Sequence, residues 1–324
     1  MSEVVRIASR GSELALWQTR AVEAAIRAAS PGTEVEIRVI KTTGDNIQDV
    51  PLAKIGDKGL FTKELDVALL TGQADLAVHS LKDVPTRVPE GLEIVAIGRR
   101  EDPRDVLLLP PGRTGSLAEL SAGARVGTSS LRRIAQLRAV RPDLEAVDLR
   151  GNLNTRLARL DRGDYDAIIL AAAGVLRLGW EARIAAYLDP AGWLPAVGQG
   201  ALGVVARSGD ERIRALLAGF HDPFTAACTG VERAFLAKLE GGCQVPIGAL
   251  ATMDDHGMIV HGLVAGVDGG DVLRDSVAVE GGADAIPVRA TGEALARRLL
   301  ELGAGEVLAR VRGETPRVPE PAAP

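Results

Sequence analysis

Several arginines fall where the sequence pattern predicts strand-end loops or helix starts: Arg10, Arg132, Arg133, Arg150 and Arg156. A guanidinium group binds a carboxylate through paired, charge-assisted hydrogen bonds. Ser12 and the run Thr128, Ser129 and Ser130 lie at predicted helix N-termini, where unpaired backbone N–H groups favour anions. Taken singly, each Ser or Thr could simply cap a helix and each arginine could simply be solvated. Their repeated placement at strand ends predicts a site for a ligand with several negative charges.

Asp83 follows the segment Asp75 to His79, whose apolar centre is typical of a buried strand. In open α/β sheets, ligands bind at the carboxyl ends of the strands. A carboxylate there could stabilise a developing cation or move protons, although a lone aspartate after a strand is more often a turn or cap residue. In extended backbone Lys82 would point away from Asp83, which favours Lys82 as an anion ligand.

The chain has two cysteines, Cys228 and Cys243, which are too few for a disulfide framework. Cys228 lies on the apolar stripe of a predicted helix, and packing explains it. Cys243 lies just beyond the end of that helix, after Gly241 and Gly242, which let the backbone pass close to another group. This setting is compatible with a modified sulfur, while the residues alone favour an inert buried thiol.

Composition argues against several classes of protein. Hydrophobic residues make up 46% of the 324 residues and charged residues 25%, as in ordinary soluble globular proteins. Aromatic residues at 3% and a net charge of -5 argue against a nucleic-acid-binding protein. The four histidines lack metal-ligand spacing, so no metal site is expected. The first residues form no apolar signal core and no later stretch could span a bilayer, so we expect a cytoplasmic protein without a membrane partner.

The elements that would position these side chains repeat along the sequence. Residues 4–14 are typical of a strand that leads through a polar loop into a helix, and residues 125–133 repeat this order. Residues 163–171 likewise repeat the turn, acidic residue and apolar strand of residues 72–80. The segments 99–103 and 194–200 are predicted crossings between domains. The pattern predicts two similar α/β domains, with a return to the first after the second crossing.

The pattern changes after the second crossing. Strand-like segments at 247–251, 258–265 and 272–279 are separated by Asp/Gly-rich turns, and helical patterns follow. This predicts a small α+β C-terminal domain with an antiparallel sheet. The predicted domains comprise residues 1–98 with 199–218, residues 104–194 and residues 222–312, followed by a disordered tail at 313–324.

The order of these motifs resembles that of the porphobilinogen deaminase family. The matching segments span nearly the whole chain and are Arg10 to Ser12, Lys58 to Phe61, His79 to Pro85, Gly127 to Arg133, Leu149 to Asn152, Thr155-Arg156, Leu194 to Ala201 and Gly241 to Gly248. The resemblance implies two α/β domains like those of periplasmic binding proteins, with a third domain that carries a cofactor cysteine. It also implies a transferase that condenses four porphobilinogen molecules head to tail onto a covalent dipyrromethane cofactor, with loss of ammonia, and releases hydroxymethylbilane by hydrolysis.

The resemblance also implies roles for single residues. Asp83 is the implied catalytic residue, and Cys243 is the implied thioether anchor of dipyrromethane. The implied cofactor contacts are Asp83, Lys82, Thr128, Ser129, Arg132, Arg133 and Arg150, and the implied substrate contacts are Arg10, Ser12, Lys58, Phe61, Arg150, Arg156 and Gln199. Asn154 departs from the pattern, since a smaller residue is expected before Thr155-Arg156. A monomer is expected, and a non-enzymatic binding protein for a carboxylated solute, which would normally carry an export signal, is the main alternative.

Overall fold

The computed structural model describes residues 4–46, 61–239 and 245–313. Its strands are β1 (Val4–Ser9), β2 (Glu34–Val39), β3 (Leu76–Ser80), β4 (Leu92–Ile97), β5 (Asp105–Leu108), β6 (Arg125–Gly127), β7 (Glu145–Val147), β8 (Ala167–Ala171), β9 (Ile184–Tyr187), β10 (Leu202–Arg207), β11 (Ile247–Asp254), β12 (Gly257–Ala265) and β13 (Val272–Glu280). Its α-helices are α1 (Glu13–Ala29), α2 (Thr43–Asn46), α3 (Lys63–Leu70), α4 (Leu131–Val140), α5 (Leu153–Asp161), α6 (Ala172–Arg177), α7 (Glu211–Leu216), α8 (Pro223–Lys238), α9 (Val288–Glu301) and α10 (Ala304–Gly313).

The first two sheets share one topology. The first has the strand order β2-β1-β3-β10-β4, and the second has the order β7-β6-β8-β5-β9. In each sheet four strands run in the same direction, and the fifth lies antiparallel between two of them: β10 in the first sheet and β5 in the second. Each inserted strand follows one of the two predicted crossings, so each crossing feeds a strand into one sheet. The domain boundaries given above stay a prediction.

A matching pair of aspartates supports the internal repeat that the sequence predicts. Asp75 precedes β3, accepts a 2.8 Å hydrogen bond from the backbone N–H of Arg6 and returns its own N–H to the Arg6 carbonyl. Asp166 precedes β8 and does the same with Arg125, whose N–H lies 2.8 Å from its carboxylate. Both aspartates therefore join the start of a central strand to the neighbouring strand.

The local sequence explains why strands and helices form where the site needs them. Residues Leu76 to Val78 of β3 are buried, as expected of a strand covered on both faces. Helix α1 starts at the Ser12 cap and packs Val22 and Ile26 into the first core. Helix α3 ends shortly before Gly72, whose φ of 69° is left-handed and suits a residue without a Cβ.

The third sheet is an antiparallel meander, β11-β12-β13, as the sequence predicts. Helices α8 and α9 pack on it, and Phe235, Val260 and Leu295 are fully buried in the shared core. Cys228 belongs to the same core, and burial raises the pKa of its thiol to about 11, with Glu232 adding to the effect. The structure confirms that Cys228 is a packing residue. The two α/β sheets and this α+β unit confirm the predicted fold class.

No helix in the described ranges is both long enough and apolar enough to cross a membrane.

Candidate functional site

Asp83 lies at the carboxyl end of β3, in the first sheet. Residues Leu81–Asp83 form a single turn of 3₁₀ helix, closed by a 3.1 Å bond from the Val84 N–H to the Leu81 carbonyl. Leu81 is fully buried, and its N–H donates to Ala201, just before β10. The turn replaces the extended backbone considered above, because the strand ends at Ser80. The half-buried carboxylate is thus carried by a turn anchored to two neighbouring strands.

Lys82 points toward the second crossing. Its Nζ lies 3.5 Å from Oε1 of Gln199, so two residues implied for the site come together. Burial lowers the pKa of Lys82 to about 8, and the negative charge of Asp83 opposes this shift. At neutral pH the side chain is therefore mostly a cation, held close to the catalytic candidate.

Asp105, at the start of β5, organises the arginines of the second sheet. Its two carboxylate oxygens accept four hydrogen bonds of 2.7–2.8 Å from Arg132, Arg133, Trp193 and Gln199. Although burial alone would raise the pKa of Asp105, the guanidinium groups of Arg132 and Arg133 hold it well below its usual range. One buried carboxylate therefore faces two buried guanidinium groups and leaves an excess positive charge.

Asp105 was missed from the sequence. An acidic residue at the start of a short apolar strand looks like a surface turn residue, and its partners lie 27, 28, 88 and 94 positions away. The one available signal was the adjacent pair Arg132-Arg133 in a predicted helix start. Two arginines that are buried together need a carboxylate partner.

Arg156 brings the second sheet close to Asp83. Its Nε donates to the Gly151 carbonyl over 2.8 Å, in the loop before α5. Burial, together with the charges of Arg133 and Arg150, lowers the pKa of Arg156 to about 10, and the carboxylates of Asp148 and Asp83 oppose this shift. The interaction with Asp83 joins the two α/β units electrostatically. Arg156 thus lies within electrostatic range of Asp83.

Arg10 lies at the end of β1, beside the end of β3. Its guanidinium carbon is 4.3 Å from the centre of the Phe61 ring, a cation–π contact between two residues implied for substrate binding. Burial lowers the pKa of His79 to about 4, and the charge of Arg10 adds to this effect. The imidazole therefore stays neutral beside the Arg10 cation.

The hydroxyl residues already have local partners. Ser12 caps α1 by accepting from the Ala15 N–H over 3.3 Å, and Thr128 Oγ1 accepts from the Ser130 N–H over 3.2 Å. Ser129 donates its hydroxyl to the Leu149 carbonyl. An anion at Ser129 would therefore have to displace this bond or use a backbone N–H. The anion-binding roles of these three residues stay predictions.

Cys243 and Lys58 lie outside the described residues, so their roles stay predictions. Helix α8 ends at Lys238, with its cap at Leu239, and the described chain resumes at Val245. Ala249, in β11, donates to the Pro195 carbonyl of the second crossing over 3.1 Å. The described strand that follows Cys243 in the chain is therefore joined to that crossing.

Glu232, in α8, is a second residue that the sequence did not single out. Its fully buried carboxylate accepts hydrogen bonds from both terminal nitrogens of Arg100, at 2.6 and 3.2 Å. It also accepts the backbone N–H groups of Gly198 and Ala251, at 2.7 and 2.8 Å. One carboxylate therefore joins both crossings to the third sheet.

Asn154 stands where the family pattern has a smaller residue before Thr155-Arg156. In the structure Asn152 caps α5 by accepting from the Thr155 N–H over 2.9 Å. The Asn154 amide donates to Glu13 at the start of α1 over 2.7 Å. Asn154 is thus part of a normal helix start and adds a contact between the two α/β units.

Comparisons with known proteins point in one direction. Residues 5–215 match the family model "Porphobilinogen deaminase, dipyromethane cofactor binding domain", and residues 226–301 match "Porphobilinogen deaminase, C-terminal domain". A relative from Syntrophobacter fumaroxidans named porphobilinogen deaminase is 52% identical, over 95% of this chain and 98% of its own. One from Moorella thermoacetica with the same name is 54% identical, over 96% of this chain and 97% of its own.

Solved structures give only distant likenesses. The periplasmic VFT2 domain of Bordetella pertussis BvgS is 18% identical with a TM-score of 0.40, over 66% of this chain and 85% of that one. An ancestral arginine-binding protein is 15% identical with a TM-score of 0.39, over 68% of this chain and 92% of that one.

The fold and the site define a class of protein: two α/β units of the same topology and a small α+β unit, with buried arginines held by Asp105 in the second α/β unit. The chain belongs to the porphobilinogen deaminase family, whose members are transferases.

Proposed function

We propose that this chain joins four porphobilinogen molecules head to tail, releases one ammonia for each, and frees hydroxymethylbilane by hydrolysis. The supporting observation is the position of Asp83. It lies in the 3₁₀ turn after β3 and interacts electrostatically with Arg156 of the second α/β unit. Such a carboxylate can stabilise a cation while the arginines hold carboxylates. We further propose that the chain works as a cytoplasmic monomer.

The described residues fit a dipyrromethane group. Arg132 and Arg133 share a single carboxylate, Asp105, and are left with an excess positive charge for an acidic ligand. Nε of Arg133 is buried and has no hydrogen-bond partner among the described residues. The residues that would hold the group are Cys243 through a thioether, with Lys82, Asp83, Thr128, Ser129, Arg132, Arg133 and Arg150. When bound, the group supplies the nucleophilic pyrrole carbon to which the first porphobilinogen is joined.

Asp83 is proposed to act on the porphobilinogen ring. When the substrate's C–N bond breaks, the electron pair leaves with ammonia and the ring becomes an azafulvenium cation. The Asp83 carboxylate accepts hydrogen bonds from pyrrole N–H groups and places negative charge beside that cation. After the new C–C bond forms, the attacking carbon loses a proton, and Asp83 is positioned to assist this transfer.

The cations of the cleft are proposed to bind and orient the substrate. Each porphobilinogen carries an acetate and a propionate group, so every addition brings two more carboxylates into the cleft. Arg10, Arg150 and Arg156 can each bind a carboxylate through a planar fork, which fixes direction as well as charge. The face of the Phe61 ring contacts the Arg10 guanidinium group in a cation–π interaction. Holding each ring in one orientation aligns the reacting carbons.

Turnover stoichiometry tests this proposal. The purified protein is incubated with porphobilinogen, and ammonia and hydroxymethylbilane are measured over time. We expect four molecules of ammonia for each hydroxymethylbilane released. A binding protein for a carboxylated solute would take up porphobilinogen without releasing ammonia, and that result would overturn the proposal.

A further inference from the structure

Arg233, in α8, joins the third unit to the residues that follow Asp83. Its Nη1 donates to the Val84 carbonyl over 2.9 Å, and its Nη2 donates to the Pro85 carbonyl over 2.6 Å. A guanidinium fork thus bonds two consecutive carbonyls from 148 and 149 positions away in the chain. Because the fork is planar and rigid, it fixes the orientation of both peptide groups.

The turn that carries Asp83 gains stiffness from this contact. Val84 uses its N–H to close the turn on Leu81, and Pro85 has no N–H to donate. The chain from Pro85 to the start of β4 contains no helix or strand. Backbone hydrogen bonds therefore anchor the turn at its start, and Arg233 anchors it at its end.

The helix that presents Arg233 is itself tied to the crossings. The preceding residue, Glu232, binds Arg100 of the first crossing and Gly198 of the second. Helix α8 also leads toward Cys243, the proposed attachment residue. The same helix is therefore linked to both crossings, to the turn of Asp83 and, along the chain, to the cofactor cysteine.

We propose that Arg233 is a positioning residue. It fixes the position of the Asp83 carboxylate relative to the cofactor that Cys243 is proposed to carry. This inference rests on the proposed function. Arg233 acts through the backbone of Val84 and Pro85. Its loss should therefore slow the chemical step without weakening substrate binding.

Arg233 can be replaced with a matched control. Arg233 borders a groove of about 590 Å³, so shortening its side chain enlarges this groove. Arg289 lines the same groove and bonds Glu293 over 2.7 Å, with its side chain 89% exposed. Arg289→Ala therefore removes an equal charge from the groove and serves as the matched control.

The test compares steady-state kinetics of Arg233→Ala, Arg233→Lys and Arg289→Ala, each shown by intact mass to hold its cofactor. A displacement of about 1 Å costs on the order of 100-fold in rate, so we expect kcat of Arg233→Ala to fall about 10- to 100-fold, with KM changed less than about twofold. Arg233→Lys, which has one ammonium for two carbonyls, should lie between Arg233→Ala and the parent. Arg289→Ala should match the parent.

A double-mutant cycle separates positioning from a general structural role. If Arg233 acts through Asp83, adding Arg233→Ala to Asp83→Asn should cause less than about a twofold further loss in single-turnover ammonia release. Multiplicative losses, or a kcat of Arg233→Ala within about twofold of the parent, would overturn the inference. If Arg233→Ala does not fold, the same cycle is run with Arg233→Lys. A parent protein without ammonia release would instead overturn the proposed function.

Discussion

Replacing Asp105 by asparagine should strongly destabilise the second α/β unit. Each carboxylate oxygen accepts two hydrogen bonds: Oδ2 from Arg132 and Trp193, and Oδ1 from Arg133 and Gln199. In Asp105→Asn one oxygen becomes an amide NH₂ group that faces two donors, and the charge that compensates two guanidinium groups is lost. Arg132 and Arg133 are only 4% and 5% exposed, so water cannot replace the lost partner.

The expected magnitude follows from the burial of this group. Leaving a buried charge without its partner costs about 3–5 kcal/mol. Urea unfolding followed by tryptophan fluorescence measures the change, and Trp193 reports locally because its Nε1 donates to Asp105 over 2.8 Å. The control is Asp143→Asn, whose carboxylate pairs with Arg141 near the surface and whose loss should leave the unfolding midpoint unchanged. A loss below about 1 kcal/mol in Asp105→Asn, the range of a surface pair, would refute this reasoning.

The same carboxylate gives a pH dependence with a definite sign. Since the folded protein lowers the pKa of Asp105 below the unfolded value of about 3.9, its stabilising contribution is fully present above that value. The contribution is lost as the pH falls further, toward the folded pKa. The difference in stability between the parent and Asp105→Asn should therefore be constant from pH 6 to pH 8 and shrink in acid.

Three further predictions concern the cleft and the thiols. Asp83→Asn should fold and keep its cofactor but scarcely release ammonia from porphobilinogen; near-normal turnover would contradict its assigned role. Because the pKa of Lys82 is about 8, the cation proposed to hold the cofactor loses its charge as the pH rises through that value, so turnover should fall there, whereas Lys82→Arg should keep its turnover at pH 9; identical pH profiles would show that the Lys82 charge is not used. Cys243→Ser should block normal cofactor attachment, while Cys228→Ser should retain it, as intact mass will show; the reverse pattern would exchange the roles of the two cysteines.

Features encoded by neighbouring residues were predictable from the sequence. The repeated turn, acidic residue and apolar strand predicted two equivalent units, and Asp75 and Asp166 make the same backbone contacts in both. The turns between β11, β12 and β13 were readable because Asp and Gly break each strand within a few residues. Such patterns depend on local chemistry and need no knowledge of distant partners.

Features that depend on distant pairing were not predictable. Glu232 lies 132 positions from Arg100 and sits on a helix whose pattern suggests only packing. Asp105 and Arg233 likewise bond partners that are distant in the chain, 27 positions away for Arg132 and 149 positions away for Val84. A single sequence shows which residues can bond but not which of them meet. The turn at Leu81–Asp83 also depends on Ala201, more than one hundred positions later in the chain.

The mass of the intact purified protein tests the central proposal most directly. We expect a mass above that of the sequence by one dipyrromethane, and peptide mapping should place the addition on the peptide that contains Cys243. A fully folded, active protein with the mass of its sequence alone, or with the addition on Cys228, would contradict the proposal.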